Sequence, residues 1–243
     1  MPGIDAFTKL YLKGGESNLS TTIVDSSPSP KSGTCFGGCV ASTAQAKFTS
    51  SSLLLASSGY LKYDDDADWD FGTADFTIDM WAYFLGTSND LIARADADFR
   101  WRCSASDTLI LNLGGVSIKS ESTTWSNNQW YHIAVSRSGT NLRFFKDGVE
   151  LGTATTNSTD ITYASPLYIG SDEGIYTFFN GYFAGVRWSK GVARYTTDFT
   201  PPTDVYTVDA LVKTVDGLAY ASVKTIDGLA VASVKSRNGL TTQ

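Results

Sequence analysis

The chain has 243 residues, with 19 basic and 25 acidic side chains and a net charge of −6. A non-specific nucleic-acid binder needs a basic surface, so this acidic chain is not expected to take DNA or RNA as a partner. No apolar run approaches the roughly 20 residues of a membrane helix. Met1-Pro2-Gly3-Ile4-Asp5 has neither a charged nor an apolar leader region, so the expectation is synthesis in a cytoplasm, with no membrane insertion and no signal peptide.

Residues 1–7 read as an N-terminal arm. Thr8 to Leu12 is a first short strand. Cys35, Cys39 and Cys103 are an odd number. The first reading is free thiols; a Cys35–Cys39 bridge across the short Cys-Phe-Gly-Gly-Cys loop, or a metal, are the alternatives.

Phe76 to Trp81 and Tyr131 to Ser136 alternate apolar and polar residues with the period of a half-buried strand. Asp147-Gly148 supplies the positive φ angles of a tight hairpin turn. Aromatics make up 13% of the residues, and short alternating runs are separated by Gly, Ser, Asn and Asp, with no long amphipathic helix. This pattern predicts an all-β fold, an antiparallel two-sheet jelly-roll sandwich. Phe76, Ile78, Met80, Ile133, Val135, Leu142 and Phe144 are its expected inward residues.

From Val212 the chain repeats with a period of 11 residues: VKTVDGLAYAS, VKTIDGLAVAS, VKSRNGL. Such a period suits a right-handed coiled coil, but the Asp-Gly and Asn-Gly pairs and the Val, Ile and Thr content favour β-turns. The prediction is a β-hairpin or meander tail over 206–243, with nine-residue strands 218–226 and 229–237. An isolated ribbon of this size is marginal in water, and its edges invite pairing. Val212, Leu218, Tyr220, Val223, Ile226, Leu229, Val231 and Val234 are therefore expected to serve assembly. Other copies of the chain, with a trimer suspected, or a different protein would cover them. Folding back onto its own sandwich and disorder are the alternatives.

Several segments occur in the order of one family. Trp130 to Gly152 (WYHIAVSRSGTNLRFFKDGVELG) resembles the signature hairpin of laminin-G-like domains in the concanavalin A-like lectin/glucanase superfamily. The turn at Asp25-Ser26-Ser27, the strand GTADFTIDMW from Gly72 to Trp81, Leu167 to Gly170, and Gly181 to Tyr195 with its Ala193-Arg194-Tyr195 ending extend the resemblance over residues 8–205. With the Phe199-Thr200-Pro201-Pro202 exit, the chain is similar to versions common in bacteriophage virion proteins. The resemblance implies a virion structural protein, a head or tail decoration or a fibre-like component, that displays a lectin-like domain to host-surface glycans. Its partners would be other virion proteins and copies of itself, its location the virion. The alternative is a purely architectural cement protein.

Glucanases of this superfamily need two carboxylates about 5–5.5 Å apart in retaining enzymes. The chain's four glutamates, Glu16, Glu121, Glu150 and Glu173, lie far apart in sequence, so no enzyme is expected. Asp79 is read as bonding locally and His132 as structural. Trp81, Tyr83, Trp101 and Trp188 are the glycan-stacking candidates. Asp96, Asp98, Asp172 and Glu173 are the candidates for a calcium ion, which is not required by this reading.

Overall fold

Thirteen antiparallel strands form one continuous sheet in the computed structural model: β1 (Thr8–Leu12), β2 (Thr34–Ser42), β3 (Ser52–Tyr63), β4 (Phe76–Phe84), β5 (Asn89–Arg94), β6 (Phe99–Cys103), β7 (Thr108–Leu113), β8 (Val116–Ser122), β9 (Trp130–Ser138), β10 (Asn141–Lys146), β11 (Val149–Thr156), β12 (Leu167–Ile169) and β13 (Gly181–Lys190). The structure describes residues 3–86, 89–94, 98–104, 106–175 and 177–207. In the repeat region it describes 214–215, 218–219, 225–226, 229–230, 236–237 and 240–241.

One half of the sheet runs β1-β13-β4-β9-β10-β11; the other runs β3-β12-β5-β6-β7-β8, with β2 also paired to β3. The halves are joined where Gly181–Phe183 pairs with both β3 and β4. At the far ends they nearly meet, as Lys119 Nζ of β8 donates to the Thr153 carbonyl of β11 at 2.8 Å. All seven expected inward residues are buried. They join an aromatic seam in which Phe71 stacks on Phe76 (centroids 4.1 Å) and on Trp188 (4.4 Å). Full burial of each such side chain contributes about 1.5–3 kcal/mol.

The β10–β11 turn is the expected one. Asp147 and Gly148 have φ of +50° and +82°, and Lys146 pairs with Val149 across them. Gly148 has a second reason to lack a side chain: a Cβ there would overlap the Phe199 carbonyl oxygen. The segment after β13 crosses here, and Phe199 N donates to Gly148 O at 2.8 Å. Tyr195 and Phe199, stacked at 3.7 Å, cover Phe145 and Ala134 in a small second core.

Both ends of the sandwich are tied to it by side chains. In residues 3–7 Ile4 is buried and Arg194 holds the Asp5 carboxylate at 2.7 Å. The chain divides into a unit ending at Tyr206 and a unit beginning at Thr207. Tyr206 belongs to the sandwich because its hydroxyl donates to Asp79 and its backbone N–H to the Tyr11 hydroxyl.

Cys35 and Cys39 form a disulfide, which corrects the free-thiol reading for this pair. Four residues of extended strand span about 13 Å. Gly37, at φ +58°, throws a bulge between Phe36 and Gly38 that brings the two Cα atoms to 5.3 Å. Cys103 is a free thiol in the core, and burial pushes its pKa well up.

The repeat unit holds three separate hairpins of two residues per strand: β14 (Thr214–Val215) with β15 (Leu218–Ala219), β16 (Thr225–Ile226) with β17 (Leu229–Ala230), and β18 (Ser236–Arg237) with β19 (Leu240–Thr241). The Ile226–Leu229 and Thr225–Ala230 pairs have the expected register. The Val215–Leu218 and Arg237–Leu240 pairs flank the other two expected turns, and the residues that would join the three ladders into a meander lie outside the described residues. Val212, Tyr220, Val223, Val231 and Val234 lie outside the described residues.

Candidate functional site

Strand parity on β4 sends Ile78, Met80 and Phe84 into the core and Thr77, Asp79, Trp81 and Tyr83 to the opposite face. There Asp79 is fully buried, and the Arg187 guanidinium grips its carboxylate with bonds of 2.9 and 3.2 Å. Tyr206 Oη donates to it at 2.6 Å, and His132 Nε2 stands 3.5 Å away. Burial alone would raise the Asp79 pKa. Arg187 and His132 outweigh it and hold the carboxyl well below the usual range. The carboxylate therefore bonds locally, beneath a covered surface.

Farther along this face, Trp130, Tyr83 and Tyr182 sit side by side on adjacent strands. Tyr83 meets each neighbour edge-on, at 5.4 and 5.7 Å. Lys47 Nζ lies 3.6 Å from the Trp81 centroid, and Phe48 packs edge-on against the same indole. Trp81 thus already has a cation on its ring, and Tyr83 is buried between its neighbours. Trp101 and Trp188 are fully buried in the core. They have no face to offer a ligand, which corrects their reading as stacking candidates. Trp101 shares its side of β6 with Phe99 and Cys103.

An exposed aromatic surface lies on the other half of the sheet. Phe36 of β2 pairs with Tyr60 of β3 in register, and their rings stack at 4.9 Å with an interplanar angle of 11°. Tyr168 of β12 and Phe178 flank Tyr60 at 6.0 and 6.3 Å. Phe36 is 40% exposed and nearby Ile175 65%, while the tyrosines are half-buried. The bulge at Gly37 and the disulfide around it set the Phe36 ring on Tyr60. Gly174 lies against the Tyr60 hydroxyl end, where a Cβ would overlap it. Sequence parity could have found two of these rings: Tyr60 precedes the core residue Leu61, and Tyr168 sits between core residues Leu167 and Ile169. Phe36 gives no such signal, because the bulge breaks the alternation beside it.

Beside this surface, Arg100 makes a two-pronged bond to the buried Asp90 carboxylate at 2.7 and 2.9 Å, and Thr177 donates to the same group. Arg100 also stands 3.3 Å from Asp172. Burial raises the Asp172 pKa despite that neighbour. Glu173 follows at φ +57° in the adjoining turn. Asp98 stands at the start of β6, with its carbonyl accepting from Gly114 N, and Asp96 lies outside the described residues. Among the described residues no three His, Cys, Asp or Glu side chains converge on a point where a cation would sit.

The profile of a family described as Concanavalin A-like lectin/glucanases superfamily matches residues 55–194. No curated protein is significantly similar in sequence. Solved structures are similar in fold. One is domain 4 of AbnA, a GH43 extracellular arabinanase from Geobacillus stearothermophilus, in complex with arabinotriose; it is 15% identical over 79% of this chain and 95% of that one, with a TM-score of 0.60. The binding domain of Paraclostridial Mosquitocidal Protein 1 is 17% identical over 76% of this chain and 49% of that one, at 0.57. The binding domain of Botulinum Neurotoxin DC in complex with SialylT is 11% identical over 76% and 48%, at 0.54. The match thus spans about half the length of the two toxin domains. The family profile runs from β3 through β13 to Arg194, more than half the chain, and so carries the sheet order and the signature hairpin together: the chain belongs to the concanavalin A-like lectin/glucanases superfamily.

Proposed function

We propose that the sandwich is a non-catalytic carbohydrate-binding domain whose binding surface is the Phe36–Tyr60–Tyr168–Phe178 platform. The observation that carries this reading is the exposed Phe36–Tyr60 stack, held by a disulfide-closed bulge. Aromatic faces fixed in this way present apolar area at little entropic cost, which suits the C–H faces of sugar rings. Two structurally similar domains are described in complex with arabinotriose and with SialylT, which supports a carbohydrate as the ligand class. The non-catalytic part is supported by the acids: the buried carboxylates Asp79 and Asp90 are each held by an arginine, and Glu121 and Glu150 face Lys119 and Arg143. None of these acids is free to be half of a catalytic pair.

The domain's proposed setting is the outside of a virus particle, with residues 207–243 attaching it to other virion proteins or to further copies of the chain. Support comes from the resemblance of the segments ending in Ala193-Arg194-Tyr195 and Phe199-Thr200-Pro201-Pro202 to phage virion proteins, and from the repeated hairpins with open edges.

The test is calorimetric titration of the full chain with arabino-oligosaccharides and sialylated oligosaccharides, with and without calcium, beside the Phe36→Ala variant. Binding by the parent chain that is weakened in the variant supports the platform. Binding that Phe36→Ala leaves unchanged moves the site elsewhere. No binding by a folded parent leaves the architectural role.

A further inference from the structure

The loop that joins β2 to β3, residues 43–51, lays Lys47 across the outer face of β4 and β9. The Lys47 Nζ stands 3.6 Å from the Trp81 ring centroid and 5.9 Å from that of Trp130. The two indoles are diagonal neighbours, because Trp81 pairs with His132 and Trp130 with Tyr83. Phe48 stands edge-on to Trp81 at 6.1 Å and closes a further side. It lies over Gly185, where an added Cβ would be 3.5 Å from its ring. Both indoles are half-buried, so part of each reaches solvent.

The rings alone hold this ammonium. Among the described residues Lys47 forms no ion pair, and its hydrogen bond is that of its backbone N–H to Ser52 Oγ at 3.2 Å. Asp147 is the carboxylate whose charge reaches it, and burial outweighs that charge and lowers the Lys47 pKa. A lysine ammonium carries three N–H donors. Here they meet ring faces or water and gain no acceptor from the protein. A cation without N–H groups has no such donors to leave unpaired, and an indole face attracts its charge equally well. The place therefore favours a fully methylated ammonium over the lysine that fills it.

We propose that Trp81 and Trp130 form a cage for a quaternary ammonium group, such as that of choline, and that Lys47 is a tethered plug that competes for it. The plug is released without movement of the loop. Ser50 Oγ donates to the Gly15 carbonyl at 3.4 Å and Ser51 Oγ to the Glu16 carbonyl at 2.8 Å, which anchors the loop beside Lys47. Only the torsions of the Lys47 side chain need change. The cage shares no residue with the Phe36–Tyr60 platform and does not rest on carbohydrate binding.

The experiment is an NMR titration of the labelled full chain, read at the Trp81 and Trp130 indole N–H signals. Choline and tetramethylammonium are the probes. Ethanolamine is the primary-amine control, and neopentyl alcohol is the uncharged control of like shape. The expected result is a saturable shift with choline, with both controls weaker by about fivefold or more. Lys47→Ala removes the plug and should tighten choline by about threefold or more, because a tethered competitor is lost. Lys47→Arg keeps a cation on the tether and should not. Trp81→Leu and Trp130→Leu should each abolish the shift at the remaining indole. Melting temperatures confirm the fold, and the half-buried Trp130 keeps the test open if Trp81→Leu does not fold. Co-sedimentation with phosphatidylcholine vesicles separates the sources: choline binding with it assigns a lipid headgroup, and without it a free small molecule. The proposal is overturned if choline moves neither indole up to about 100 mM, far weaker than a millimolar site. It is equally overturned if neopentyl alcohol binds as well as choline, or if Lys47→Ala leaves the choline affinity unchanged.

Discussion

Phe36 and Tyr60 lie face to face with centroids 4.9 Å apart, directly opposite each other on β2 and β3 at the place where Gly37 leaves the ladder. Both rings are on the solvent side of a sheet whose other side is core. Packing in this domain does not require Phe36 there. Its replacement by Ala should therefore change the melting temperature little while weakening carbohydrate binding about fivefold to tenfold, the equivalent of about 1–1.4 kcal/mol. Calorimetry of Phe36→Ala beside differential scanning measures both quantities, and a large drop in stability with unchanged binding would reverse the assignment.

The disulfide should matter to the same surface. Closing a loop of this length restricts the unfolded chain by about 2 kcal/mol in the entropic account. Cys35→Ser with Cys39→Ser should lower the melting temperature by several degrees and loosen the Phe36 ring. Reduction of the parent protein should reproduce both effects. Equal affinity before and after reduction would show that the bulge holds its shape unaided.

Asp79 and Arg187 are the most sensitive pair for stability. Asp79→Asn leaves a fully buried guanidinium without its counter-charge, a change that costs about 3–5 kcal/mol. The melting temperature should fall by about 10 °C in a domain of this size. Tyr206→Phe removes one bond to the same carboxylate and should cost only about 1 kcal/mol. Thermal unfolding of the two variants and their double gives the comparison, and a mild Asp79→Asn phenotype would contradict the buried pairing.

The same cluster sets the pH limits. The Asp79 pKa is depressed from its ordinary 3.8, so its contribution is present above that value and is lost as pH falls toward the folded pKa. Burial raises the pKa of Tyr11 to about 12 and those of Tyr195 and Tyr206 well above the ordinary 10.0. Raised tyrosines give their full contribution below pH 10 and lose it as pH rises beyond, because the unfolded chain ionises first. Denaturant midpoints should hold steady near neutrality and fall below pH 4 and above pH 10. Tyr206→Phe should flatten the alkaline limb.

The repeat unit is tested by mass. If residues 207–243 join copies of the chain, the full chain is an oligomer in solution and a chain ending at Thr207 is a folded monomer. Light scattering on the two distinguishes this from a tail that awaits a different protein, in which case both are monomers.

Much of the sheet could be read from alternation. Ile78 and Met80 against Thr77 and Asp79, and Ile133 and Val135 against His132 and Ala134, reveal both faces of β4 and β9, and Asp147-Gly148 marks the turn. The bulges hid the rest. On β13, Phe183 faces the core, but so do Val186 and Trp188, because Gly185 at φ +60° shifts the parity between them. Continuing the alternation without that shift turns Trp188 outward. The Gly37 bulge likewise concealed both the Cys35–Cys39 approach and the Phe36 platform. Trp101 was legible, since Phe-Arg-Trp-Arg-Cys alternates cleanly and its arginines occupy the wet side.

Gly3 and Tyr206, near the two ends of the sandwich, meet at one side chain. The Arg187 guanidinium bonds the Gly3 carbonyl at 3.4 Å and stacks on the Tyr206 ring at 3.6 Å. A domain whose ends lie this close can be spliced into a surface loop of another chain, or cut out of one, with little disturbance to either fold. The sandwich thus has the end geometry of an insertable domain.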